Sequence, residues 1–193
     1  MIIVKFGGTS VSTKDRISNI CEIVGKRVTK NPVVIVSALS GVTDLLISST
    51  KFPEQSKDTF QKIKELHVDL IKSIWKKDAA ASKTISYIDS ILVEAKKVLG
   101  KGDLDKSSID RLSSFGEIMS SYIVSEALKS SGIKAQQVVA TELIVTDSNF
   151  GEAEFLPEET KKAVNKTLKP LSEKNVVPVV TGFIGATKDR KTT

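Results

Sequence analysis

A pair of glycines follows the first apolar run of the chain, in the sequence Lys5-Phe6-Gly7-Gly8-Thr9-Ser10. The run itself, residues 2 to 6, is predicted to be a buried strand, and a helix is predicted after the glycines. Gly7 and Gly8 would let the backbone approach a ligand, and the helix would point its free N–H groups at an anion. Lys5 would add a mobile charge for phosphate oxygens. The spacing alone leaves a phosphate site and a tight turn with a solvated lysine equally open.

The glycine pair belongs to neither of two common nucleotide-binding signatures. The Walker A pattern G-x-x-x-x-G-K-[ST] and the dinucleotide pattern G-x-G-x-x-G are both absent from the sequence. The second predicted strand, residues 33 to 37, leads to Ser37 and Ser40 instead of the carboxylate that holds a ribose in dinucleotide-binding proteins. A Rossmann dehydrogenase is therefore not predicted.

Small hydroxyl side chains follow that second strand, in the stretch from Val36 to Asp44. Parallel α/β sheets bind ligands at the carboxyl ends of their strands, where Ser40 and Thr43 would lie. The same hydroxyls could instead cap the next helix. The residues alone leave substrate contact and capping equally open.

Glu117 is a further candidate, within Ser113-Ser114-Phe115-Gly116-Glu117-Ile118-Met119. It lies at the border of the apolar stripe of a helix predicted over residues 108 to 130. A carboxylate so close to a packing face requires a cationic partner. A substrate ammonium or a lysine of the protein would serve, and the residues alone favour the lysine.

Weaker signals come from two loops and two single residues. The segment from Val180 to Gly185 again places glycines after a predicted strand, and Asp147 to Gly151 is a polar loop, but both patterns are typical of ordinary turns. His67 falls on the apolar stripe of a helix and is interpreted as a core-edge residue. Cys21 lies beside Ile20 on the first helix and is interpreted as packing.

Composition excludes several classes of protein. Only Arg16, Arg27, Arg111 and Arg190 of the 29 basic residues are arginines, so the net charge of +6 is a poor sign of nucleic-acid binding. One cysteine and one histidine exclude an internal disulfide and a metal cluster rich in these residues. Apolar runs far below ~18 residues and an N-terminus unlike a leader predict a soluble, cytoplasmic protein without a membrane partner.

Apolar periodicity alternates between strand-like and helix-like segments, which predicts an α/β fold with a mainly parallel sheet. The first helix is predicted to start at Ser12 in a capping-box-like pattern with Asp15. Residues 54 to 99 are predicted to form two amphipathic helices joined near residues 78 to 82. The later predicted elements are strands over 135 to 140, 142 to 145 and 176 to 181, a helix over 157 to 168, and a tail over 186 to 193 without an apolar anchor.

Together the motifs resemble those of aspartate kinases, in the order and with the gaps of that family. The matching segments are Lys5 to Ser10, Val36 to Ala38 with Gly41 to Asp44, Ser114 to Glu117, Asp147 to Ala153, and Val180 to Gly185, which span essentially the whole chain. The resemblance implies the amino-acid-kinase (carbamate-kinase-like) fold, a three-layer α/β/α sandwich with a mainly parallel sheet. It also implies ATP-dependent phosphorylation of the β-carboxylate of L-aspartate, the first step towards lysine, threonine and methionine.

The resemblance also implies roles for particular residues. The implied site residues are Lys5, Phe6, Gly7 and Gly8 for the phosphates of ATP, and Thr43, Glu117 and, more weakly, Ser40 for the substrate. Lys5 is the implied catalytic residue, because it would neutralise charge on the transferred phosphoryl group. Glu117 would pair with the ammonium of aspartate. Magnesium would arrive with the ATP, and no metal ligand from the protein is expected.

Aspartate kinases continue past the position of Thr193 into a Gly-Arg-Gly-Gly-Ser-Asp segment, the nucleotide-side half of the sheet and usually a pair of ACT regulatory domains. Residues 1–193 are therefore expected to be the N-terminal, substrate-side part of the catalytic domain, incomplete at the C-terminus, with a helical insertion at about 54–99. A homo-oligomer is expected for the full-length protein. The alternatives are a related kinase acting on glutamate, acetylglutamate, carbamate or a nucleoside monophosphate, and, for these residues alone, a non-catalytic module that binds aspartate or an anion.

Overall fold

The computed structural model describes residues 1–76, 78–102 and 104–193. Strands and helices alternate along the chain, as the apolar periodicity predicts. The strands are β1 (Ile2–Phe6), β2 (Pro32–Val36), β3 (Ala135–Val138), β4 (Val145–Thr146), β5 (Val177–Thr181) and β6 (Ala186–Thr187). The α-helices are α1 (Lys14–Gly25), α2 (Val42–Lys51), α3 (Ser56–Trp75), α4 (Ala79–Leu99), α5 (Lys106–Ser130) and α6 (Pro157–Glu173).

Four strands form a parallel sheet in the order β1-β2-β5-β3. The pairing of β1 with β2 runs from Ile2 opposite Pro32 to Phe6 opposite Val36, and β5 continues the sheet with Thr181 opposite Val36. Because the four strands run in one direction, their carboxyl ends meet at one edge of the sheet. The short strands β4 and β6 form a separate parallel pair.

Helices cover both faces of the sheet, as the alternation of side chains along a strand requires. Val34 and Val36 of β2 belong to the main core with α1 and α5, whereas Val33 packs in a second core with Leu168 of α6. The predicted three-layer sandwich with a parallel sheet is confirmed. β1 is an edge strand of this sheet and its Ile3 is 69% exposed, so the prediction of a buried strand is wrong.

Helix α5 is the central helix of the main core. It packs against β2, β3 and β5 and also against α2 and α4. Residues from Ser114 to Leu128 are therefore buried, except Tyr122, although the sequence predicts a single apolar stripe. Some of its buried serines bond to the preceding turn, as Ser121 does by donating to the carbonyl of Ile118 at 3.2 Å, whereas the buried hydroxyl of Ser125 has no partner among the described residues.

The two amphipathic helices predicted within residues 54 to 99 are α3 and α4, which pack against each other. Asp78 lies in the predicted joint and caps α4, because its Oδ1 accepts a hydrogen bond from the N–H of Ala81 at 2.9 Å. Cys21, predicted to be a packing residue, is partly buried against the main core. Among the described residues, no helix combines the length and the apolar character needed to cross a membrane.

His67 of α3 is fully buried, and its Nδ1 donates a hydrogen bond to the carbonyl of Ile63 at 2.7 Å. Burial lowers the pKa of His67 from 6.5 to about 4, because the charged ring would lose its hydration. A lowered pKa in the folded state means that stability is complete above the unfolded value of 6.5 and is lost as the pH falls towards 4.

We therefore expect acid to destabilise the wild-type protein more than it destabilises the His67→Gln variant. Between about pH 7 and pH 4, the free energy of unfolding should fall by about 3 kcal/mol more in the wild type. Urea denaturation of both proteins at the two pH values measures this difference. If the free energy of unfolding fell equally with pH in both proteins, His67 would not change its protonation on unfolding.

The segment after β5 is anchored, although the sequence offers no apolar anchor for residues 186 to 193. Its strand β6 pairs with β4, and Ala186 also bridges to Thr192, which is buried. The Oγ1 atoms of Thr146 and Thr193 lie 2.9 Å apart. Polar side chains and backbone groups hold this segment, so apolar periodicity cannot reveal it. The strand predicted over residues 142 to 145 is also wrong, because Ala140–Glu142 form a 3-10 turn before β4.

Candidate functional site

Three loops lie side by side at the carboxyl ends of β1, β2 and β5. The N–H of Ser37 donates to the carbonyl of Phe6 at 3.1 Å, and the N–H of Gly182 donates to the carbonyl of Val36 at 2.8 Å. The pairing of the strands therefore continues into the residues that leave the sheet. The structure brings together three segments that the sequence marks separately: the glycine pair, the small hydroxyl residues after β2 and the glycines after β5.

The two residues of the glycine pair have different surroundings. A Cβ atom built on Gly8 would lie 2.6 Å from the carbonyl oxygen of Ala38 and 3.3 Å from the nitrogen of Ser40, so only glycine permits this approach of the two loops. A Cβ atom on Gly7 would meet no atom within 4 Å. Phe6 is buried in the main core, so only its backbone is available to a ligand. The open space at Gly7 is where a phosphate group can approach the backbone.

Gly8→Ala is expected to destabilise the protein, because backbone atoms of the second loop must move to admit the methyl group. The cost should be about 1–3 kcal/mol in the free energy of unfolding. Gly7→Ala is the matched control: Gly7 has φ −77° and free space, so its variant should remain within about 1 kcal/mol of the wild type. Chemical denaturation of the three proteins measures both values. Equal stability of the two variants would contradict the close approach at Gly8.

Ser12 joins the first two loops instead of starting the first helix. Its Oγ donates to the carbonyl of Gly8 at 2.6 Å and accepts from the N–H of Ser40 at 3.3 Å. Thr13 is the N-cap of α1, with its side chain accepting from the N–H of Arg16. The predicted capping-box start at Ser12 is therefore wrong by one residue, and the hydroxyl assigned to the cap holds the glycine loop against the loop after β2.

Ser40 and Thr43 do not cap the helix that follows them. The N-cap of α2 is Gly41, with φ +81° and no side-chain cap, so the capping alternative is wrong. Ser40 is exposed in the loop, and Thr43 is half-buried in the first turn of α2. Both residues thus lie at the carboxyl edge of the sheet without a capping role.

Glu117 is a buried carboxylate, only 6% exposed, whose Oε1 accepts a hydrogen bond from the N–H of Ala38 at 3.2 Å. In the described part of the chain, no lysine or arginine nitrogen lies within 4.0 Å of it, so the favoured lysine partner is wrong. Burial raises the pKa of Glu117, and the Ala38 hydrogen bond offsets only part of that rise. The ionised carboxylate therefore lacks a compensating positive charge among the described residues.

Ala38 connects Glu117 with the glycine loop, because its N–H binds the carboxylate and its carbonyl faces Gly8. Gly116 makes this possible: a Cβ atom there would lie 2.8 Å from the Cβ of Ala38. One turn further along α5, the hydroxyl of Ser120 donates to the carbonyl of Ser37 at 2.7 Å. Helix α5 thus presses Glu117 directly against the loop after β2.

Lys5 extends from the exposed side of β1 towards the loop after β5. Its Nζ lies 4.5 Å from the centroid of the Phe183 ring. Phe183 is 78% exposed and has φ +57°, a backbone conformation that favours glycine. Sequence reasoning did not single out Phe183 within the segment from Val180 to Gly185, although an aromatic residue directly after Gly182 at the end of a strand was a signal.

A cleft of about 540 Å³ opens beside these loops, lined by residues of the loop after β5 and of the segment from Gly151 to Phe155. Asp110 of α5 also lines it, and its Oδ2 accepts a hydrogen bond from the N–H of Gly151 at 2.8 Å. Burial raises the pKa of Asp110, against the effect of that bond. Nothing in the sequence marks Asp110, because acidic residues on helices are mostly exposed surface residues.

The layered parallel sheet and its three loops define an α/β protein with a candidate anion and ammonium site at the carboxyl edge of the sheet. Comparison with families of known proteins agrees with that architecture. The model described as "Amino acid kinase family" matches residues 1–192. The chain belongs to the amino acid kinase family.

Individual relatives are aspartokinases, which confirms the predicted resemblance. The chain is 31% identical over 195 residues to the aspartokinase of Chlamydia muridarum, covering 100% of this chain and 41% of the relative. It is 32% identical over 192 residues to chloroplastic aspartokinase 3 of Arabidopsis thaliana, covering 95% and 34%. The chain thus spans about two fifths or less of the length of these relatives.

Solved structures share the fold. Escherichia coli aspartokinase III in complex with lysine and aspartate has a TM-score of 0.90 at 23% identity, covering 100% of this chain and 43% of that one. The same enzyme in complex with aspartate and ADP has a TM-score of 0.89 at 23% identity, with the same coverage.

Proposed function

We propose that the full-length protein is an aspartate kinase, which transfers the γ-phosphoryl group of ATP to the β-carboxylate of L-aspartate. The products are 4-phospho-L-aspartate and ADP. The observation that carries this proposal is Glu117, a buried carboxylate without a cationic partner among the described residues, held against the loops that contain Lys5 and the glycine pair. The relatives named aspartokinase, and the solved relative that contains aspartate and ADP, support it.

Glu117 would bind the ammonium group of aspartate. A buried carboxylate that lacks a positive charge gains most from a ligand that supplies one, since a charge-assisted hydrogen bond contributes about 1.5–3 kcal/mol. Thr43 and, more weakly, Ser40 would contact the same substrate from the loop after β2. An anionic ligand without an ammonium group would not satisfy Glu117, so the carboxylate favours an amino acid substrate.

Lys5 and the glycine pair would bind the phosphates of ATP, which enters as its magnesium complex. The uncovered backbone at Gly7 can approach phosphate oxygens, and Lys5 would neutralise the negative charge that spreads over the transferred phosphoryl group. An oxygen of the aspartate carboxylate attacks the γ-phosphorus, and the bond from that phosphorus to the oxygen of ADP breaks. No proton moves in this step.

The reaction requires no general base, because a carboxylate nucleophile is already ionised at neutral pH. Catalysis then consists of alignment and electrostatic stabilisation. This agrees with the position of His67, the single histidine of the sequence, which is fully buried in α3. Lys5 and the open backbone at Gly7 would supply part of that stabilisation.

We infer that residues 1–193 are the N-terminal, substrate-side part of the catalytic domain, with α3 and α4 as a helical insertion. The exposed edge strand β1, with Ile3 69% exposed, supports continuation of the sheet in the full-length protein. The length of the relatives supports the same interpretation. A homo-oligomer remains a prediction for the full-length protein.

The test is magnesium-dependent ADP release by the full-length protein, with and without L-aspartate. We expect release to require aspartate, and L-glutamate, N-acetylglutamate, carbamate and a nucleoside monophosphate to give little or none. Faster ADP release with any of these acceptors would identify that acceptor, instead of aspartate, as the substrate. For the 193-residue chain, calorimetric titration with aspartate and with ATP distinguishes a binding module, which binds aspartate without turnover, from a complete active site.

A further inference from the structure

We propose that Phe183 is a positioning residue for Lys5: its ring holds the lysine ammonium in place without neutralising its charge. The inference rests on the proposed function, because it assumes that Lys5 acts on the transferred phosphoryl group. Phe183 leaves β5 and Lys5 lies on β1, with β2 between them in the sheet. The contact, 4.5 Å from Nζ to the ring centroid, therefore spans the carboxyl end of β2.

The conformation of Phe183 is costly in two ways. Its φ of +57° lies in the left-handed region, where a side chain is strained and glycine is not. Its ring is 78% exposed, so it gains little from hydrophobic burial. Glycine at this position would avoid both costs. The presence of phenylalanine instead indicates that the ring has a function.

The neighbouring residues Gly182 and Gly185 are glycines at positions where close packing leaves little room for a side chain. A Cβ atom on Gly182 would lie 3.2 Å from the carbonyl oxygen of Val36, and one on Gly185 would lie 2.9 Å from Cγ2 of Thr146. Phe183 stands between these tight positions with its ring in the open. Packing therefore accounts for the glycines, and the contact with Lys5 accounts for the phenylalanine.

An aromatic ring suits this task better than a carboxylate would. Both attract an ammonium group, but a carboxylate would cancel the charge that Lys5 must offer to the phosphoryl oxygens. The face of a ring attracts a cation through its quadrupole and leaves the net charge intact. Among the described residues, no carboxylate lies within 4.0 Å of Lys5 Nζ, so the ring is the partner that this structure provides.

The first test compares variants of the full-length enzyme. Phe183→Leu keeps an apolar side chain and removes the aromatic face, and it should lower kcat by about three- to ten-fold with the KM for aspartate within about two-fold. Phe183→Tyr restores the aromatic face and should recover most of the lost turnover. The matched control is Phe52→Leu, at an exposed phenylalanine after α2, which should leave both constants unchanged.

The second test asks whether Phe183 acts through Lys5. In a Lys5→Ala background, Phe183→Leu should lower kcat no further, because the group that it positions is gone. Phe183→Gly should lower kcat as much as Phe183→Leu while it raises Tm, because glycine relieves the backbone strain. An equal loss of kcat in both backgrounds would overturn the proposal, as would a Phe183→Tyr variant no better than Phe183→Leu.

The outcomes separate this inference from the proposed function. Aspartate-independent turnover by the wild type would overturn both. An unimpaired Lys5→Ala variant would overturn this inference and the catalytic role of Lys5, and would leave the aspartate kinase activity standing. An active wild type, an impaired Lys5→Ala variant and a Phe183→Leu variant with wild-type kcat would overturn the positioning role alone. A loss confined to the KM for aspartate would make Phe183 a substrate contact instead of a positioning residue.

Discussion

Replacement of Lys5 by alanine is expected to lower kcat of the full-length protein by about 10²- to 10³-fold. In the transition state of phosphoryl transfer, negative charge spreads over the oxygens of the transferred group, and a positive charge fixed beside them stabilises that state more than the ground state. Lys5 is the implied source of this charge, at the end of β1 beside the glycine pair. Because the interaction strengthens in the transition state, kcat should fall more than the KM values rise.

Steady-state ADP release at saturating aspartate and ATP measures this effect. Lys30→Ala is a suitable control, because Lys30 is an exposed lysine in the turn before β2, at the opposite end of the strands. The control should retain wild-type turnover. An unchanged kcat in Lys5→Ala would reject the catalytic role of Lys5, and an equal fall in the Lys30→Ala control would indicate a general effect of surface charge.

Glu117→Gln is expected to raise the KM for aspartate by about 10- to 100-fold, with the KM for ATP within about two-fold. The amide keeps the size of the side chain and an oxygen for the N–H of Ala38, but it cannot form an ion pair with a substrate ammonium. The loss should therefore be selective for the amino acid. A selective rise in the KM for ATP would contradict the assigned role.

The same variant should be at least as stable as the wild type at neutral pH. Burial raises the pKa of Glu117 in the folded state, so the wild type loses stability as the pH rises from the unfolded value of 4.5 through the raised value. Glutamine does not ionise and avoids that loss. If Glu117 had a purely structural role, the Glu117→Gln variant would be less stable than the wild type and its KM for aspartate would be unchanged.

Glu126→Gln is the matched control, because Glu126 is a second buried glutamate on α5, 7% exposed. Burial tends to raise the pKa of Glu126, but Lys129 at 2.6 Å and Lys83 at 3.1 Å outweigh burial, and the pKa is lowered. The variant should be less stable than the wild type and should bind aspartate normally. The comparison distinguishes Glu126, which two lysines neutralise, from Glu117, whose proposed cationic partner is the ammonium group of the substrate.

Local patterns in the sequence account for the order of the elements and for the places of the candidate loops. The strand before the glycine pair, the two helices within residues 54 to 99 and the strand before Gly182 all follow from apolar periodicity and from glycine at chain turns. These signals depend on residues close in sequence. The candidate loops could be predicted because glycine pairs and hydroxyl residues at strand ends are recognisable without a structure.

Contacts between distant residues account for what the sequence left open or misjudged. The partner of Glu117 is the N–H of Ala38 instead of a lysine, because Gly116 brings α5 against the loop after β2. Ser12 bonds to that same loop instead of starting α1, and the tail after β6 is held by polar contacts. Phe183 meets Lys5 because parallel pairing aligns the ends of three strands. Each of these depends on packing between residues far apart in the chain, and local propensity carries no information about such packing.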